Sequence, residues 1–313
     1  MTDTAAASAA ATDPTETGFD TVLRFLLPDR DCRGRVVRLG PVLDEILSAH
    51  DYPPPVKHCL AEALVLTALM GSMLKDEQDQ MTIQARSEEG LIRLLVCDYR
   101  GGALRGYAEV AEDVPAQVGA NPRLETLFGK GHLAVTFDLA STGQRYQGIV
   151  PLEGENLSEA IEIYFAQSEQ LPTQVRTAMA FGQDGGIAGG MLIQHLADGE
   201  QGRERLHVRF DHPEWEHVSI LADTISHGEL VDQALSLEAM VWRLFHEERE
   251  LRTDGLVSLC KGCRCSIEHY ATILSRFGEE DRAEMVNDEG DIVVDCAFCS
   301  RQFAIPALPG EVS

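Results

Sequence analysis

Positive charge is scarce in this chain of 313 residues, because 26 Lys and Arg stand against 51 Asp and Glu. The formal net charge is −25 at pH 7, and no five consecutive residues contain more than two Lys or Arg. Nucleic acids and anionic membrane surfaces are bound through basic patches. We therefore expect a protein that binds neither nucleic acid nor a membrane.

Long hydrophobic runs are also missing. The most apolar stretch, Cys59–Leu74, has 16 residues and includes Glu62, whereas a membrane-spanning helix needs about 20 apolar residues. Residues 1–19 contain no Lys, no Arg and no apolar segment, so no secretory signal is predicted. We expect a cytoplasmic protein, in which disulfides do not persist. The eight cysteines are then better explained by metal binding or redox chemistry.

Composition divides the chain into four segments. The length predicts about two domains, and 44% hydrophobic with 25% charged residues is typical of a globular protein. An Ala- and Thr-rich tail, residues 1–18, has no apolar periodicity and is expected to be disordered. The other segments are predicted as an α+β core domain (19–181), a flexible helical linker (182–254) and a small cysteine-bearing module (255–313).

The core domain is predicted to be sheet-centred. Residues 81–85, 91–99 and 103–110 are strand-like and separated by short turns, which predicts an antiparallel meander, and residues 132–139 and 145–150 predict a further hairpin.

Helices are predicted on both sides of these strands. Residues 56–75 predict a buried helix that follows three prolines. Asn156 and Glu159 predict a capping box at the start of an amphipathic helix. Hairpins and helices without a βαβ rhythm indicate the α+β class.

The linker has a glycine-rich beginning and a helical continuation. Residues 182–190, GQDGGIAGG, are flexible enough to predict a hinge. Farther on, apolar residues from Leu237 to Phe245 follow helical spacing, with Ser236 as a predicted N-cap. Isolated short helices are marginal in water, so we expect the linker helices to dock on another part of the molecule.

Five of the eight cysteines lie within forty residues of one another: Cys260, Cys263, Cys265, Cys296 and Cys299. Two close groups joined by a loop are typical of tetrahedral zinc, which takes four such ligands. A small module with few apolar residues also needs an additional source of stability, such as a bound metal ion. An iron–sulfur cluster and unrelated buried thiols are the alternatives.

The spacing also permits reactivity. A Cys-x-x-Cys pair closes readily into a disulfide, and a Cys-x-Cys pair closes into a small, strained ring that is easily reduced. Such bonds suit a reversible switch. A purely structural zinc ribbon with inert thiolates remains the alternative on spacing alone.

The sequence contains the runs AHDYPPPVK (49–57), LRGYA (104–108), GKG (129–131), RYQGIVPLEG (145–154), YFAQSEQLPT (164–173), VWRLFHEE (241–248), Cys263-x-Cys265, DEGDI (288–292) and CAFC (296–299). These runs, together with their order over about residues 19 to 305, resemble motifs of the 33-kilodalton heat shock protein family of redox-regulated holdase chaperones.

The resemblance implies a zinc-dependent switch. Cys263, Cys265, Cys296 and Cys299 would bind one zinc ion in the reduced, inactive protein. Peroxide or hypochlorous acid under unfolding conditions would form the disulfides Cys263–Cys265 and Cys296–Cys299, release zinc and unfold the module with its linker. The active form would be a homodimer that holds unfolding client proteins without ATP. The chain contains no GxGxxG, and its GKG lacks the spacing of a phosphate-binding loop, which fits an ATP-independent activity.

Cys260 is additional to the family pattern. It could replace Cys263 as a ligand or pair with Cys263 on oxidation, but we expect it to be a spectator thiol.

Leu237, Val241 and Leu244 are candidate client-binding residues, because an undocked linker would expose their apolar face. The alternative is that they are ordinary packing residues in every state. A net charge of −25 would help a protein with exposed apolar surface to remain in solution.

Two other functions are compatible with the cysteines: a zinc-ribbon adaptor that binds another protein, and a thiol–disulfide oxidoreductase that uses Cys296 and Cys299. The second lacks a thioredoxin-like context around its motif. We expect a protein that is not an enzyme.

Overall fold

The structure is a computed structural model and describes residues 18–111, 118–196 and 210–306. The predicted disordered tail lies outside these residues, except for Gly18. Within the described residues the strands are β1 (Thr21–Leu27), β2 (Cys32–Leu39), β3 (Gln80–Ser87), β4 (Ile92–Arg100), β5 (Ala103–Val110), β6 (Gly131–Leu139), β7 (Gln144–Pro151), β8 (Thr173–Gly182), β9 (Gly185–His195), β10 (Arg252–Ser258), β11 (Cys260–Lys261), β12 (Asp291–Asp295) and β13 (Gln302–Pro306). The helices are α1 (Pro41–Leu47), α2 (Pro54–Gly71), α3 (Leu124–Phe128), α4 (Leu157–Tyr164), α5 (Pro213–Asp223), α6 (His227–Val231), α7 (Leu237–Phe245), α8 (Ile267–Leu274) and α9 (Glu279–Met285).

One sheet contains the predicted meander and hairpin. Its strand order is β11-β5-β4-β3-β6-β7, and all neighbours are antiparallel except β11 and β5. Gly101 and Gly102 form the turn between β4 and β5, and both have positive φ, which two-residue hairpin turns of this kind require. The meander, the hairpin and the α+β class are confirmed.

The second sheet is entirely antiparallel, with strand order β10-β1-β2-β9-β8. The glycine-rich run 182–190 is not a hinge between domains, because it forms the turn of the β8–β9 hairpin and the first half of β9. Its glycines serve close packing instead. A Cβ atom at Gly189 would overlap the backbone of Leu230, and one at Gly190 would overlap Val65.

Helix α2 forms the centre of the molecule between the two sheets. Its side chains are buried along almost the whole helix, and they belong to one apolar cluster with residues of both sheets. Pro54 and Pro55 occupy the first helical positions, where a missing N–H costs nothing. The predicted buried helix is thus confirmed, although it ends at Gly71.

The helices α5, α6 and α7 dock on the outer face of the second sheet, as their amphipathic pattern requires. They share a second apolar cluster with residues of β1, β2, β8 and β9. Ser236 caps α7 by accepting a hydrogen bond from the backbone N–H of Ala239. Beside this cluster, the buried guanidinium of Arg38 donates to the carbonyl oxygens of Leu230 and Leu235 at 3.2 and 2.8 Å.

The C-terminal segment starts within the larger fold. Strand β10 pairs with β1, and β11 pairs with β5, so that position 255 lies inside a strand of the second sheet. Helices α8 and α9 and the β12–β13 hairpin follow, and α8 and the hairpin share a small apolar cluster of their own. No helix in the described parts of the chain is long and apolar enough to span a membrane.

Candidate metal centre

Two short loops of the C-terminal segment carry the clustered cysteines. Cys263 and Cys265 lie between β11 and α8, and the side chain of Ser266 caps α8 immediately afterwards. Cys296 and Cys299 lie in the turn of the β12–β13 hairpin, where the N–H of Ser300 donates to the carbonyl oxygen of Cys296 at 2.8 Å. A strand end and a hairpin turn therefore fix the backbone of each pair.

The four sulfur atoms lie within 4.8 Å of one another. The Sγ–Sγ distance is 3.2 Å from Cys263 to Cys265, 3.5 Å from Cys263 to Cys296 and 3.5 Å from Cys265 to Cys299. Four thiolates at about 2.3 Å from a tetrahedral zinc ion stand roughly 3.8 Å apart, whereas the atoms of a disulfide are about 2.05 Å apart. The four cysteines are thus spaced as ligands around a common centre and could hold a metal ion.

Hydrogen bonds favour a thiolate at Cys296. Burial opposes ionisation of this thiol, but the hydroxyl of Tyr270 and the backbone N–H groups of Phe298 and Cys299 donate to it and lower its pKa to about 6. Burial raises the pKa of Cys265 and of Cys299. Metal binding requires deprotonated cysteines, and the positive charge of a bound cation would offset the burial that disfavours the thiolates of Cys265 and Cys299.

Comparison with known proteins identifies the family. The sequence model of a family described as "Hsp33 protein" matches residues 20–306. The chain belongs to the Hsp33 family. A "33 kDa chaperonin" of Caulobacter vibrioides is 40% identical over 294 residues, which cover 91% of this chain and 94% of the relative. A "33 kDa chaperonin" of Shigella boydii is 33% identical over 291 residues, with 92% and 93% covered.

A crystal structure shows the same fold in another member of the Hsp33 family. The 33 kDa chaperonin (heat shock protein 33 homolog) of Thermotoga maritima superimposes with a TM-score of 0.75 at 22% sequence identity. The match covers 92% of this chain and 95% of that protein. The two proteins therefore share a fold over nearly their whole lengths.

Cys260, the thiol that the family pattern does not require, is not part of the four-sulfur cluster. It is exposed and lies on β11, opposite Ala103 of β5. The other three cysteines, Cys32, Cys59 and Cys97, are buried, and burial raises the pKa of each thiol. Cys59 and Cys97 belong to the main apolar core.

The candidate client-binding residues are buried in this structure. Leu237, Val241 and Leu244 are 2%, 1% and 7% exposed, and they pack in the cluster between the linker helices and the second sheet. In this state they are packing residues. Any role in client binding requires that α7 leave the sheet.

Contacts between the cysteine loops and the first sheet were not predicted from the sequence. Arg264, between Cys263 and Cys265, donates to the carboxylate of Asp98 at 3.0 Å. Phe298, between Cys296 and Cys299, lies under the guanidinium of Arg105, with 4.0 Å from the guanidinium carbon to the ring centroid. The LRGYA run contains Arg105, but nothing in its local pattern indicates a partner near residue 298.

Proposed function

We propose that this chain is a redox-regulated, ATP-independent holdase chaperone, zinc-bound and inactive when reduced. Membership of a family whose curated relatives are named 33 kDa chaperonins supports the chaperone role. The observation that carries the proposal is the arrangement of Cys263, Cys265, Cys296 and Cys299 around a common centre. We assign these four as the ligands of one zinc ion and Cys260 as a spectator.

Oxidation would convert the four zinc ligands into two disulfides, with two chemical steps for each pair. In each pair, one thiolate attacks peroxide and becomes a sulfenic acid, and the second thiol displaces water to form the disulfide. Each pair thus loses two electrons, and one hydrogen peroxide becomes two waters. The pairs would be Cys263–Cys265 and Cys296–Cys299. The Sγ–Sγ distance of 3.2 Å between Cys263 and Cys265 supports the first pairing.

The β12–β13 hairpin and α8 have only a small apolar cluster of their own. Apart from Cys296, the buried members of this cluster among the described residues are Leu274, Ile292, Phe303 and Ile305. Zinc supplies roughly 10–16 kcal/mol of apparent binding free energy to small peptides of this kind, which equals or exceeds the stability of a typical domain, about 5–15 kcal/mol. Loss of the four thiolates should therefore unfold the segment.

Client binding would then use surface that the linker covers. Departure of α7 from the second sheet would expose Leu237, Val241 and Leu244 together with the apolar sheet residues beneath them. Exposed patches of this kind bind other apolar surfaces. Clients would be unfolded or partly unfolded proteins, held by a homodimer of the oxidised chain.

The thiols would be regulatory rather than catalytic, and we propose no enzymatic reaction. Reduced zinc ligands that respond to oxidants suit the cytoplasm, where thiols are otherwise kept reduced. The charge of −25 supports a protein that binds no nucleic acid and no membrane.

The deciding experiment treats the reduced, zinc-loaded protein with peroxide at mildly elevated temperature. Zinc release and suppression of aggregation of an unfolding client are followed together. A holdase switch gains anti-aggregation activity as zinc is released, and a thiol reductant reverses both changes. Zinc release without any gain of activity would contradict the proposal and leave the zinc-ribbon adaptor. Catalytic turnover of substrate disulfides would indicate an oxidoreductase.

A further inference from the structure

Both cysteine pairs place a side chain on the same ion pair of the first sheet. Asp98 of β4 accepts hydrogen bonds from Arg105 Nε at 2.7 Å and from Arg264 Nη2 at 3.0 Å, both at Oδ2. The guanidinium of Arg105 also covers the ring of Phe298. One carboxylate–guanidinium pair thus contacts the Cys263–Cys265 loop through Arg264 and the Cys296–Cys299 loop through Phe298.

The carboxylate at the centre of this arrangement is buried, and the two guanidinium groups are partly shielded from water. The side chains of Asp98, Arg105 and Arg264 are 5%, 20% and 31% exposed. The second carboxylate oxygen of Asp98 accepts from the hydroxyl of Thr82 at 2.6 Å. Ion pairs on a surface contribute little, but removing one partner of a buried pair is costly, because the other charge is left without compensation. A guanidinium over an aromatic ring adds a further attraction.

A second set of contacts also holds the CAFC turn. Ser300 Oγ donates to the carbonyl oxygen of Ala49 at 2.6 Å, and His50 Nε2 lies 2.7 Å from the carbonyl oxygen of Ala297. The ring of Tyr107 lies edge-on to that of Phe298, with centroids 6.3 Å apart. We call the set formed by Ala49, His50, Asp98, Arg105 and Tyr107 the docking face.

The docking face gives a role to two sequence runs that the four-cysteine site does not use. Ala49 and His50 begin the AHDYPPPVK run, and Arg105 and Tyr107 lie in LRGYA. Neither run contains a cysteine. Both runs supply the surface that receives the cysteine loops.

We propose that the docking face accepts the two cysteine loops only when a shared metal holds them together, so that Asp98 and Arg105 couple metal binding to docking. The loops are 30 residues apart in sequence, and a common ligand set would bring Arg264 and Phe298 to the same Asp98–Arg105 pair. Without a shared metal ion, each loop must be ordered separately, and each then loses conformational entropy on its own. The proposal rests on the zinc site proposed above but on no oxidation step.

Coupling of this kind is reciprocal. If the metal favours docking by some factor, docking raises the metal affinity by the same factor. A residue of β4, outside the cysteine segment, should therefore influence how tightly zinc is held. A structural contact without coupling would leave the metal affinity unchanged.

The test measures the zinc affinity of the reduced, full-length protein by competition with a chromophoric chelator. Arg264→Gln and Asp98→Asn should each weaken zinc binding about tenfold, within the usual range of coupling between sites. The variant with both substitutions should bind zinc at least as tightly as whichever single variant binds it more weakly. Arg276→Gln, which removes an exposed arginine near the end of α8, is the matched control and should bind zinc like the wild type.

Comparing the effect of Arg264→Gln in the wild type and in the Asp98→Asn variant distinguishes coupling from a local charge effect. If Arg264→Gln weakens zinc binding as much in the Asp98→Asn background as in the wild type, Arg264 acts on the thiolates directly and the proposal is wrong. Equal affinities of Arg264→Gln and Arg276→Gln would also overturn it. A wild-type protein that binds no zinc would instead remove the metal site itself.

A further variant covers the case in which Asp98→Asn fails to fold. Phe298→Leu keeps an apolar side chain for the small cluster of the segment but loses the aromatic face over Arg105. Its zinc affinity should fall, and hydrogen exchange at residues 49–52 and 297–300 should accelerate in the reduced, zinc-loaded protein. Unchanged affinity and exchange in this variant would refute the coupling.

Discussion

At the residue scale, the C-terminal cysteines differ in what holds their backbones. The backbone of Cys260 is part of strand β11, which pairs with β5. The other four cysteines lie in the two loops that meet at the sulfur cluster. Five cysteines close together in sequence are consistent with several ligand sets. Strand pairing separates one thiol from the other four.

This difference predicts the outcome of two substitutions. Cys260→Ser should retain one zinc per chain, because its thiol is outside the cluster, and should still release zinc when oxidised. Cys299→Ser should lose most of its zinc, since three thiolates remain where four are needed. Metal-to-protein ratios of the reduced proteins give the comparison. Zinc loss in Cys260→Ser would show that the ligand assignment is wrong.

Glu62 is a second residue whose role depends on tertiary structure. It is buried in α2, and its carboxylate accepts hydrogen bonds from the N–H groups of Leu157 and Ser158 at the start of α4. Burial raises the pKa of Glu62 above its ordinary value of 4.5, although these hydrogen bonds oppose the shift. The sequence shows only an acidic residue in an otherwise apolar helix.

The raised pKa of Glu62 predicts how stability varies with pH. The folded state binds this proton more tightly than the unfolded state, so its contribution is complete below the ordinary pKa and is lost as pH rises through the folded pKa. Glu62→Gln cannot ionise. The free energy of unfolding of the wild type minus that of the variant should therefore fall as pH rises from below the ordinary pKa through the raised pKa of the folded state, as measured by urea unfolding. A difference that grows with pH would contradict the direction of the shift.

At the element scale, β9 shows how composition can mislead. Five glycines in 182–190 are typical of a flexible connection, yet β9 packs between α2 on one face and α6 on the other. Gly189 faces the backbone of Leu230, and Gly190 faces Val65. Small residues are needed here because both helices approach the strand closely.

A methyl group at Gly189 should therefore displace α6. Gly189→Ala should destabilise the protein by about 1–3 kcal/mol, as overpacking does, and should increase proteolytic cleavage within α5 to α7. Gly182→Ala is the control, because a Cβ there meets open space. Urea unfolding and limited proteolysis of the reduced proteins test this. Equal behaviour of the two variants would mean that α6 is not held by its close approach to β9.

At the scale of the whole molecule, the buried apolar residues in the described parts of the chain form three separate clusters. The largest lies around α2 between the two sheets, the second lies under the linker helices, and the third belongs to the cysteine segment. The third has five buried members, one of which is Cys296. We expect the three parts to differ in stability, with the last depending on metal.

Chelation of zinc under reducing conditions should therefore unfold the cysteine segment selectively. Amide hydrogens of β12 and β13 should lose protection from exchange, while those of α2 and the first sheet keep it. Added zinc should restore the protection. Because no oxidant is present, this measurement is independent of disulfide formation. Protection of β12 and β13 that survives metal removal would show that zinc does not stabilise the segment.

The sequence by itself determined the features that depend on near neighbours in the chain. Periodicity predicted the meander, the buried helix and the cap of α7 at Ser236. The predicted capping box is half formed, since Asn156 accepts from the N–H of Glu159 but Glu159 accepts from Glu155. Cysteine spacing and the family motifs predicted a metal-binding cluster.

Only the tertiary structure decided which distant residues meet. It removed Cys260 from the cluster, turned the glycine run into a packed strand, and joined Asp98 to Arg264 across 166 positions of sequence. Local patterns record the preferences of adjacent residues, whereas these contacts depend on how two sheets and two loops are arranged in space. Their residues have ordinary sequence surroundings, so no local pattern identifies their partners.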